Sequence, residues 1–331
     1  MVLTHPVETM PAAVCTAYGP PETLVVGRLP VPQPRSGQVR VRIHAASVSA
    51  ADRRIRSLDM PSGFSLAGRL ALGWRRPRQP VLGGDFLGVI DAVGVGVTGF
   101  QPGDEVVGMT GMRMGCHAGV CCLNPVGRVL AKPASLSHET AVAALFGGTA
   151  AMDFLRRADL RESERILIVG ASGAVGSAAV QWASLLGAHV TAVCSGRNAG
   201  WVAPLGATRL IDPARHNWPN PEEIFDVVLD ATGTLDWARV RPWLPPEGRF
   251  LALAGGLQDV LRAPWVAVTS RQRIIAGPAR ERISDMQLLM QATADGRFTP
   301  HIDAVYPLGR IRDAHRHVDS GHKRGSVIVT P

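Results

Sequence analysis

An uncharged stretch near the middle of the chain, residues 166–188, constrains the fold more than any other part of the sequence. It begins with the apolar run Ile166 to Val169, passes through a turn of small residues at 170–176, and then repeats apolar residues at helical spacing from Ala178 to Leu186. A strand that leads into a helix through such a turn leaves free backbone N–H groups and the positive end of the helix dipole at one point. The pattern predicts a strand, turn and helix that bind a pyrophosphate.

The small residues of this turn match the fingerprint of dinucleotide-binding folds. Ala171, Gly173 and Gly176 occupy its three small-residue positions. A membrane-spanning helix is the alternative, because the stretch is long enough to cross a bilayer. Its glycines, serines and Gln181 dilute the hydropathy, so a dinucleotide site is favoured. The predicted cofactor contacts in the turn are Gly170, Ala171, Ser172, Gly173, Ala174, Val175 and Gly176.

The residues after the second strand indicate which dinucleotide is bound. An NAD site usually places an acidic residue about 20 residues after the first glycine, where it holds the ribose 2′-hydroxyl. No acidic residue occurs between Glu164 and Asp212, and Cys194, Ser195 and Arg197 follow the second strand instead. A hydroxyl and a planar guanidinium can hold a 2′-phosphate, so NADPH is predicted. The alternative is that Arg197 is an ordinary exposed arginine at a helix start.

Strands and helices alternate after residue 160, which predicts parallel βαβ units whose ligands lie at the carboxyl ends of the strands. Two further strands end in small residues, at 231–233 and 254–256. We therefore add Ala231, Thr232, Ala254 and Gly255 to the predicted cofactor site. In the preceding segment, Gly147, Gly148 and Thr149 are expected to interrupt a helix that resumes at Ala150.

Composition and charge limit the class of protein. Apolar residues make up 46% and charged residues 19% of the chain, which is typical of a globular domain rather than a disordered one. The net charge of +8 is suited to binding phosphate ligands or, as an alternative, nucleic acid. Because the arginines are scattered along the sequence, we expect no nucleic-acid partner. Five cysteines do not suggest a disulfide framework, and Met1 to Pro11 shows no leader pattern. A cytoplasmic protein without membrane contact is expected.

The order of patterns predicts three segments. Residues 1–136 are rich in short strands, residues 137–278 have the α/β pattern, and residues 279–331 return to strand character and are expected to pack on the first segment. Ser49 is placed to cap a short helix that extends to Ser57, with Asp52 in its first turn.

Several motifs in this order resemble one known family. They are His44 to Asp52, Leu82 to Gly94, Phe100 to Gly108, Gly170 to Gln181, and Leu205-Gly-Ala-Thr with Asp212 beyond. The chain resembles the zinc-independent medium-chain dehydrogenase/reductases of the quinone oxidoreductase-like group. The resemblance implies a Rossmann doubly wound parallel sheet domain inserted in a GroES-like β-rich domain, NADPH as hydride donor, a homodimer, and Thr149 as a cofactor contact.

The chain departs from the family at the catalytic position. The family usually has Asn-x-x-Asp in the first helix, whereas this chain has Ser49-Ala-Ala-Asp52, and its two tyrosines, Tyr18 and Tyr306, do not follow that motif closely. We predict that Ser49 and Asp52 lie beside the nicotinamide. The alternative is that both residues serve only to cap the helix.

No metal site is predicted. Zinc-dependent relatives have a cysteine where Ser49 stands and a His-Glu pair where Gly84 and Asp85 stand. Cys116, His117, Cys121 and Cys122 form a cluster of metal-ligand types, but their spacing matches no common zinc motif, and they are interpreted as strand residues.

Without a metal to polarise its substrate, the expected substrate is already electron-poor: a quinone or an α,β-unsaturated carbonyl compound. Two alternatives remain open. One is a binding protein on the same fold that has lost hydride transfer and contacts RNA through its basic surface. The other is a biosynthetic enzyme that reduces one tailored intermediate.

Overall fold

The computed structural model describes residues 8–215, 218 and 222–331. The first part of the chain is rich in strands. A two-stranded antiparallel ribbon precedes a sheet whose strands are separated by two short helices. The elements in chain order are β1 Thr9–Cys15, β2 Leu24–Pro30, β3 Val39–Val48, α1 Ala50–Ser57, α2 Ser65–Leu72, β4 Asp85–Val93, β5 Glu105–Met109, β6 Val120–Leu123 and β7 Val129–Ala131.

The middle of the chain alternates helices and strands and forms a six-stranded parallel sheet, in the order β10-β9-β8-β11-β12-β13. This is the predicted Rossmann-type domain. Its elements are α3 His138–Ala158, β8 Arg165–Val169, α4 Ala174–Leu185, β9 His189–Val193, α5 Gly196–Val202, β10 Arg209–Ile211, β11 Val227–Asp230, α6 Trp237–Val240, β12 Arg249–Ala252, α7 Leu257–Thr269 and β13 Arg273–Ala276.

The last part of the chain returns to the first sheet, as expected from its strand character. Its elements are α8 Ile283–Ala294, β14 Ile302–Pro307, α9 Ile311–Asp319 and β15 Ser326–Thr330. Strand β15 pairs antiparallel with β3, with Val327 opposite Val48, and parallel with β14. The resulting sheet has the order β14-β15-β3-β4-β5-β7, with β6 also paired to β3. The cofactor-type sheet is therefore an insertion in a β-rich domain built from both chain ends.

Helix α3 connects the two halves and corrects one prediction. We expected Gly147 to Thr149 to interrupt the helix, but it runs without a break from His138 to Ala158. The glycines serve packing instead: a Cβ at Gly147 would collide with the backbone of Ala174 on α4, and one at Gly148 would lie 2.6 Å from Leu289 on α8. Because glycine is tolerated in a helix when it allows close helix contact, the expected break does not occur.

Other predicted boundaries shift by a few residues, for identifiable reasons. The sequence pattern predicts a first strand at 12–18, but the strand is Thr9–Cys15, because its partner β2 pairs with it only as far as Cys15. The pattern also predicts a helix at 199–205, and this helix begins earlier, at Gly196. Helix α7 is an element that the sequence pattern did not predict. None of the helices among residues 8–215, 218 and 222–331 is long and apolar enough to cross a membrane; residues 1–7, part of the segment inspected for a leader, lie outside that range.

Candidate cofactor and substrate site

The predicted phosphate loop connects β8 to α4 with a tightly constrained backbone. Gly170 has φ +80°, and a Cβ there would lie 2.5 Å from the Thr232 side chain. A Cβ at Gly176 would collide with the carbonyl of Gly170, so this glycine lets the first turn of α4 approach the loop. Ala171 is fully buried. These three positions are therefore occupied by small residues for reasons of internal packing.

Gly173 is different, because nothing in the described chain requires it to be glycine. It is the N-cap of α4 with φ −83°, and the nearest atom to a Cβ at this position would be the Gly170 carbonyl oxygen, at an ordinary 3.5 Å. The N-cap side chain that usually satisfies the first helical N–H groups is absent. The space in front of this helix end is therefore open on the protein side, as a pyrophosphate requires.

A lysine from the end of the chain lies beside the same loop. The backbone N–H of Gly325 donates to the Ser172 carbonyl at 2.9 Å, and Lys323 Nζ donates to the Gly325 carbonyl at 2.6 Å. Burial lowers the pKa of Lys323 to about 8, and Asp303 partly opposes this shift. The sequence did not reveal this residue, because it lies about 150 positions away in the chain and reaches the loop only through the pairing of β15.

The end of the second parallel strand holds the residues predicted to select NADPH. Ser195 stands at the N-cap position of α5 without a capping hydrogen bond from its side chain, and Asn198 Nδ2 donates to its hydroxyl at 3.2 Å. Arg197 is exposed. Asn198 is buried, and within the described residues its Oδ1 has no hydrogen-bond partner. Cys194 is buried, and burial raises its pKa, so this thiol stays protonated. A guanidinium and a hydroxyl are thus available at this strand end.

The structure also brings an acidic residue to the same place. A Cβ at Gly196 would lie 2.6 Å from an Asp212 carboxylate oxygen, so this carboxylate lies against the first turn of α5. Asp212 follows β10, the strand next to β9, and accepts a hydrogen bond from the Ala214 N–H at 3.1 Å. The sequence placed no acid directly after β9. The neighbouring strand supplies one through space, which bears on the choice between NADH and NADPH.

The third predicted turn, after β11, is held by one buried aspartate that the sequence analysis did not select. Asp230 accepts from the N–H groups of Thr232 at 2.8 Å, Gly233 at 3.1 Å and Leu235 at 2.8 Å, and from the Thr232 hydroxyl. Thr232 itself is exposed, and Ala231 is half-buried. These hydrogen bonds fix the conformation of the turn and leave Thr232 exposed at the carboxyl end of β11.

The fourth turn, after β12, contacts the β-rich domain. Ala254 and Gly255 are half-buried, and the Gly256 N–H donates to the Asp259 carboxylate at 3.1 Å. The next N–H, that of Leu257, donates to the Ser62 carbonyl at 2.8 Å. The segment before α2 thus lies against the last of the four strand ends, where the two domains meet.

Thr149 lies inside α3, where its hydroxyl is 2.8 Å from the Leu145 carbonyl and 3.7 Å from the Met109 sulfur. Met109 ends β5 and lines a cavity of about 440 Å³. Loop residues after β5 and before β7, the segment that leads into α8, and Met286 on α8 complete it. Its lining residues are Met109, Gly111, Met112, Val126, Gly127, Arg128, Ala279, Glu281 and Met286.

This cavity combines methionine side chains with one charged pair. Arg128 Nη1 lies 3.8 Å from Glu281 Oε2, and burial raises the pKa of Glu281 while Arg128 opposes the shift. A carboxyl group with a raised pKa keeps its proton to higher pH than a free glutamate does, and can donate it to a substrate. Sequence analysis missed Glu281, because it lies in a segment without a recognisable motif.

Ser49 and Asp52 form a closed pair at the start of α1. Asp52 accepts from the Ser49 N–H at 2.8 Å and the Ser49 hydroxyl at 2.5 Å, and the Asp52 N–H donates to the Ser49 oxygen at 3.3 Å. The second carboxylate oxygen accepts from the Gly83 N–H at 2.8 Å, and Asp52 is fully buried. The capping role predicted as an alternative is therefore present.

Asp85 stands next to this pair and is also fully enclosed. It accepts from the Ser47 N–H at 2.8 Å and the Ser47 hydroxyl at 2.7 Å, and burial raises its pKa to about 7. His117 Nε2 lies 2.9 Å from the Ser47 carbonyl. Among residues 8–215, 218 and 222–331, no three histidine, cysteine or acidic side chains are grouped as a metal site would require.

Two family models match most of the chain. The model "Alcohol dehydrogenase GroES-like domain" matches residues 35–151, and "Zinc-binding dehydrogenase" matches residues 205–329. The mouse mitochondrial NAD(P)H oxidoreductase RTN4IP1 is 30% identical, over 97% of this chain and 89% of the relative. A chloroplastic quinone-oxidoreductase homolog from Spinacia oleracea is 26% identical, over 91% and 92%. The quinone oxidoreductase structure from Coxiella burnetii has a TM-score of 0.87 and 24% identity, over 98% and 100%.

Proposed function

Because this chain belongs to the medium-chain dehydrogenase/reductase family, in its quinone oxidoreductase-like group, we propose that it is an NADPH-dependent reductase of quinones or α,β-unsaturated carbonyl compounds and works without zinc. The observation that carries the proposal is the open helix end at Gly173, in line with three further strand-end turns on one sheet edge. Its relatives include oxidoreductases named for quinones and for NAD(P)H, which supports the reaction class.

Reduction of a conjugated carbonyl adds a hydride to carbon and a proton to the resulting enolate, so the substrate gains two electrons. A bound nicotinamide supplies the hydride. The residues of this chain position the substrate, exclude water from the site and supply the proton. The residues around Gly173 hold the pyrophosphate, and Lys323 adds a positive charge at the edge of the loop.

In this proposal Arg197 and Ser195 hold the 2′-phosphate. The Asp212 carboxylate lies at the same strand end and repels the negatively charged phosphate. The preference for NADPH is therefore expected to be moderate rather than absolute. Thr232, Ala254 and Gly255 line the remainder of the cofactor edge, and Thr149 contacts the site from α3.

For the proton, the structure offers two groups. Ser49 and Asp52 were predicted to lie beside the nicotinamide, but they are enclosed and paired with each other. Glu281 lines the cavity beside Met109, and burial raises its pKa above the usual value of a glutamate. We assign the proton to Glu281 and a positioning role to Ser49 and Asp52, which join α1 to Gly83.

A homodimer is the expected assembly, and the structure offers a surface for it. Strand β13 is an edge strand of the parallel sheet, and the adjacent helix α7 exposes Leu261, Trp265 and Val268. A strand edge beside exposed apolar side chains is suited to pairing with a second copy.

The test is a spectrophotometric screen of NADPH oxidation with quinones, enones, enals and aldehydes, with NADH in parallel. Turnover of quinones or enones with NADPH supports the proposal. Reduction of one compound among many close analogues would indicate the biosynthetic alternative. Salt-sensitive RNA affinity with no NADPH oxidation by any acceptor would indicate the binding-protein alternative and overturn the proposal.

A further inference from the structure

A short helix of the β-rich domain exposes apolar side chains instead of burying them. Helix α2 and the turn after it expose Leu66 by 64%, Leu70 by 61% and Trp74 by 61%. Ala67 and Ala71 on the same helix are exposed as well. Leu66 and Leu70 are four residues apart and therefore share one helix face. The face of α2 directed toward solvent is its apolar one.

The segment 65–78 is also strongly basic. It contains Arg69, Arg75, Arg76 and Arg78, and the sequence has no acidic residue between Asp59 and Asp85. Many arginines elsewhere in the chain form an ion pair with a carboxylate, but none of these four does so within the described part of the chain. Four positive charges thus lie uncompensated around the exposed leucines.

The turn after α2 is built to present these charges. The Tyr18 hydroxyl donates to the Gly73 carbonyl at 2.9 Å, and the Arg78 N–H donates to the Leu72 carbonyl at 2.6 Å, so the turn is folded back on the helix end. Arg69 donates to the Trp74 carbonyl at 2.8 Å and lies 5.9 Å from the centre of its ring. Exposed tryptophan and leucine beside arginines are typical of segments that lie in the interface of a bilayer.

A groove beside this turn has the size and lining for a headgroup. Its volume is about 520 Å³, and Trp74, Arg75, Arg76 and Arg78 line it together with Val14 and Pro80. Its described lining contains arginines and no acidic residue. A phosphate held there would lie next to the apolar face, as the phosphate of a lipid lies next to its acyl chains.

We propose that residues 65–78 dock this protein on the surface of an anionic phospholipid bilayer, with Leu66, Leu70 and Trp74 in the acyl boundary and the arginines on headgroup phosphates. Surface attachment of this kind needs no spanning helix, and it departs from our expectation of no membrane contact. It does not depend on the proposed enzymatic function.

Two other occupants fit less well. A second copy related by a two-fold axis would bring the same four arginines face to face, which like-charge repulsion opposes. Nucleic acid would pair with the arginines, but its phosphates would leave Leu66 and Leu70 in water. Of these three occupants, the bilayer satisfies both the charge and the apolar face.

The experiment is co-sedimentation of the full-length protein with phosphatidylcholine vesicles and with vesicles in which about one third of the lipid is phosphatidylglycerol. We expect binding only to the anionic vesicles, weakened by salt. The triple variant R75Q/R76Q/R78Q is expected to reduce the partition coefficient by roughly 100-fold. Its matched control is R161Q/R271Q/R297Q, which removes three exposed arginines that pair with acids elsewhere and is expected to bind like the wild type.

The variant L66S/L70S separates the apolar contribution from the charge. We expect roughly tenfold weaker vesicle binding, while short RNA duplexes, if they bind at all, are unaffected. Equal vesicle binding by wild type and R75Q/R76Q/R78Q would overturn the proposal. So would RNA binding that is tighter than vesicle binding and insensitive to L66S/L70S. Far-UV circular dichroism and thermal unfolding serve as the folding control for all variants.

Discussion

The cofactor edge of the parallel sheet and the Ser49 to Asp85 region of the β-rich domain contain similar polar groups but use them in opposite ways. At the cofactor edge, Gly173 has an open helix end and Arg197 and Thr232 are exposed. Around Asp52 and Asp85, each carboxylate accepts several hydrogen bonds from the chain itself and is fully buried. Groups that the chain leaves open are available to a ligand, whereas groups satisfied internally hold the domain in shape.

The largest effect is expected at Gly173. Substitution G173D places a carboxylate where we propose the pyrophosphate binds, while its Cβ meets only an ordinary contact. Aspartate also favours the N-cap position, so the free energy of unfolding should not decrease. We expect affinity for NADPH and NADH to fall by roughly 100-fold or more, about 2.7 kcal/mol. Titration calorimetry and thermal unfolding check this, with G200A as control because Gly200 has open space around it. Unchanged affinity would remove the pyrophosphate from this helix end.

The next effect concerns Asp85 and stability. Burial raises the pKa of Asp85 to about 7 from 3.8, so the folded state holds the proton more tightly than the unfolded chain. Its contribution to stability is therefore complete below pH 4 and is lost as pH rises toward 7. We expect D85N, whose amide can keep both contacts to Ser47, to be more stable than wild type at pH 8 by an amount on the order of 3 kcal/mol. Urea unfolding at pH 5 and pH 8 measures the difference. A D85N variant that is less stable at both pH values would contradict the assignment.

Glu281 lines the cavity beside Met109 and should matter for turnover. We expect E281Q to reduce kcat by roughly 30-fold, somewhat below the usual range for a lost general acid. Because only the protonated carboxyl can donate, wild-type kcat should fall as pH rises through the raised pKa of Glu281, and E281Q should lose this dependence. R128Q removes the partner of Glu281 and is expected to move the pH dependence upward, since Arg128 lowers this pKa. An identical pH profile for wild type and E281Q would exclude the role.

Substitution of Arg197 tests whether the cofactor edge prefers NADPH or NADH. We expect R197A to weaken NADPH binding by roughly tenfold and to leave NADH binding unchanged, because only the 2′-phosphate is affected. D212N is expected to act in the opposite direction and strengthen NADPH binding. Lys323 provides the comparison: K323M should weaken both dinucleotides equally, since it lies at the shared pyrophosphate loop. Equal NADPH affinity before and after R197A would show that the guanidinium does not hold the 2′-phosphate.

The smallest effect on activity is expected at the closed pair. D52N keeps one acceptor oxygen for the Gly83 N–H, but its NH2 group cannot accept from the Ser49 N–H, so it should cost about 1–2 kcal/mol of stability. We expect kcat to stay within about threefold of wild type, in contrast to E281Q. Stopped-flow turnover and chemical unfolding separate the two outcomes. A large loss of kcat with normal stability would return Asp52 to the catalytic role first predicted for it.

Local sequence predicted those features that depend on neighbouring residues. The turn at 170–176, the cap at Ser49 with Asp52, and the alternation of strands and helices each follow from the geometry of a few adjacent residues. The break expected at Gly147 to Thr149 was wrong, because the reason for those glycines is Ala174 and Leu289, residues on other helices. Helix propensity carries no information about such partners.

The sequence by itself determined the family, the fold class and the strand end at which we expect a dinucleotide, since these depend on backbone conformation and short-range spacing. Only the tertiary structure decided that Asp212 reaches the second strand end, that Lys323 lies beside the phosphate loop, and that Glu281 faces a cavity. It also showed that the apolar face of α2 points to solvent. The physical reason is that burial and pairing depend on which distant segments meet, and the spacing of residues along the chain does not record this.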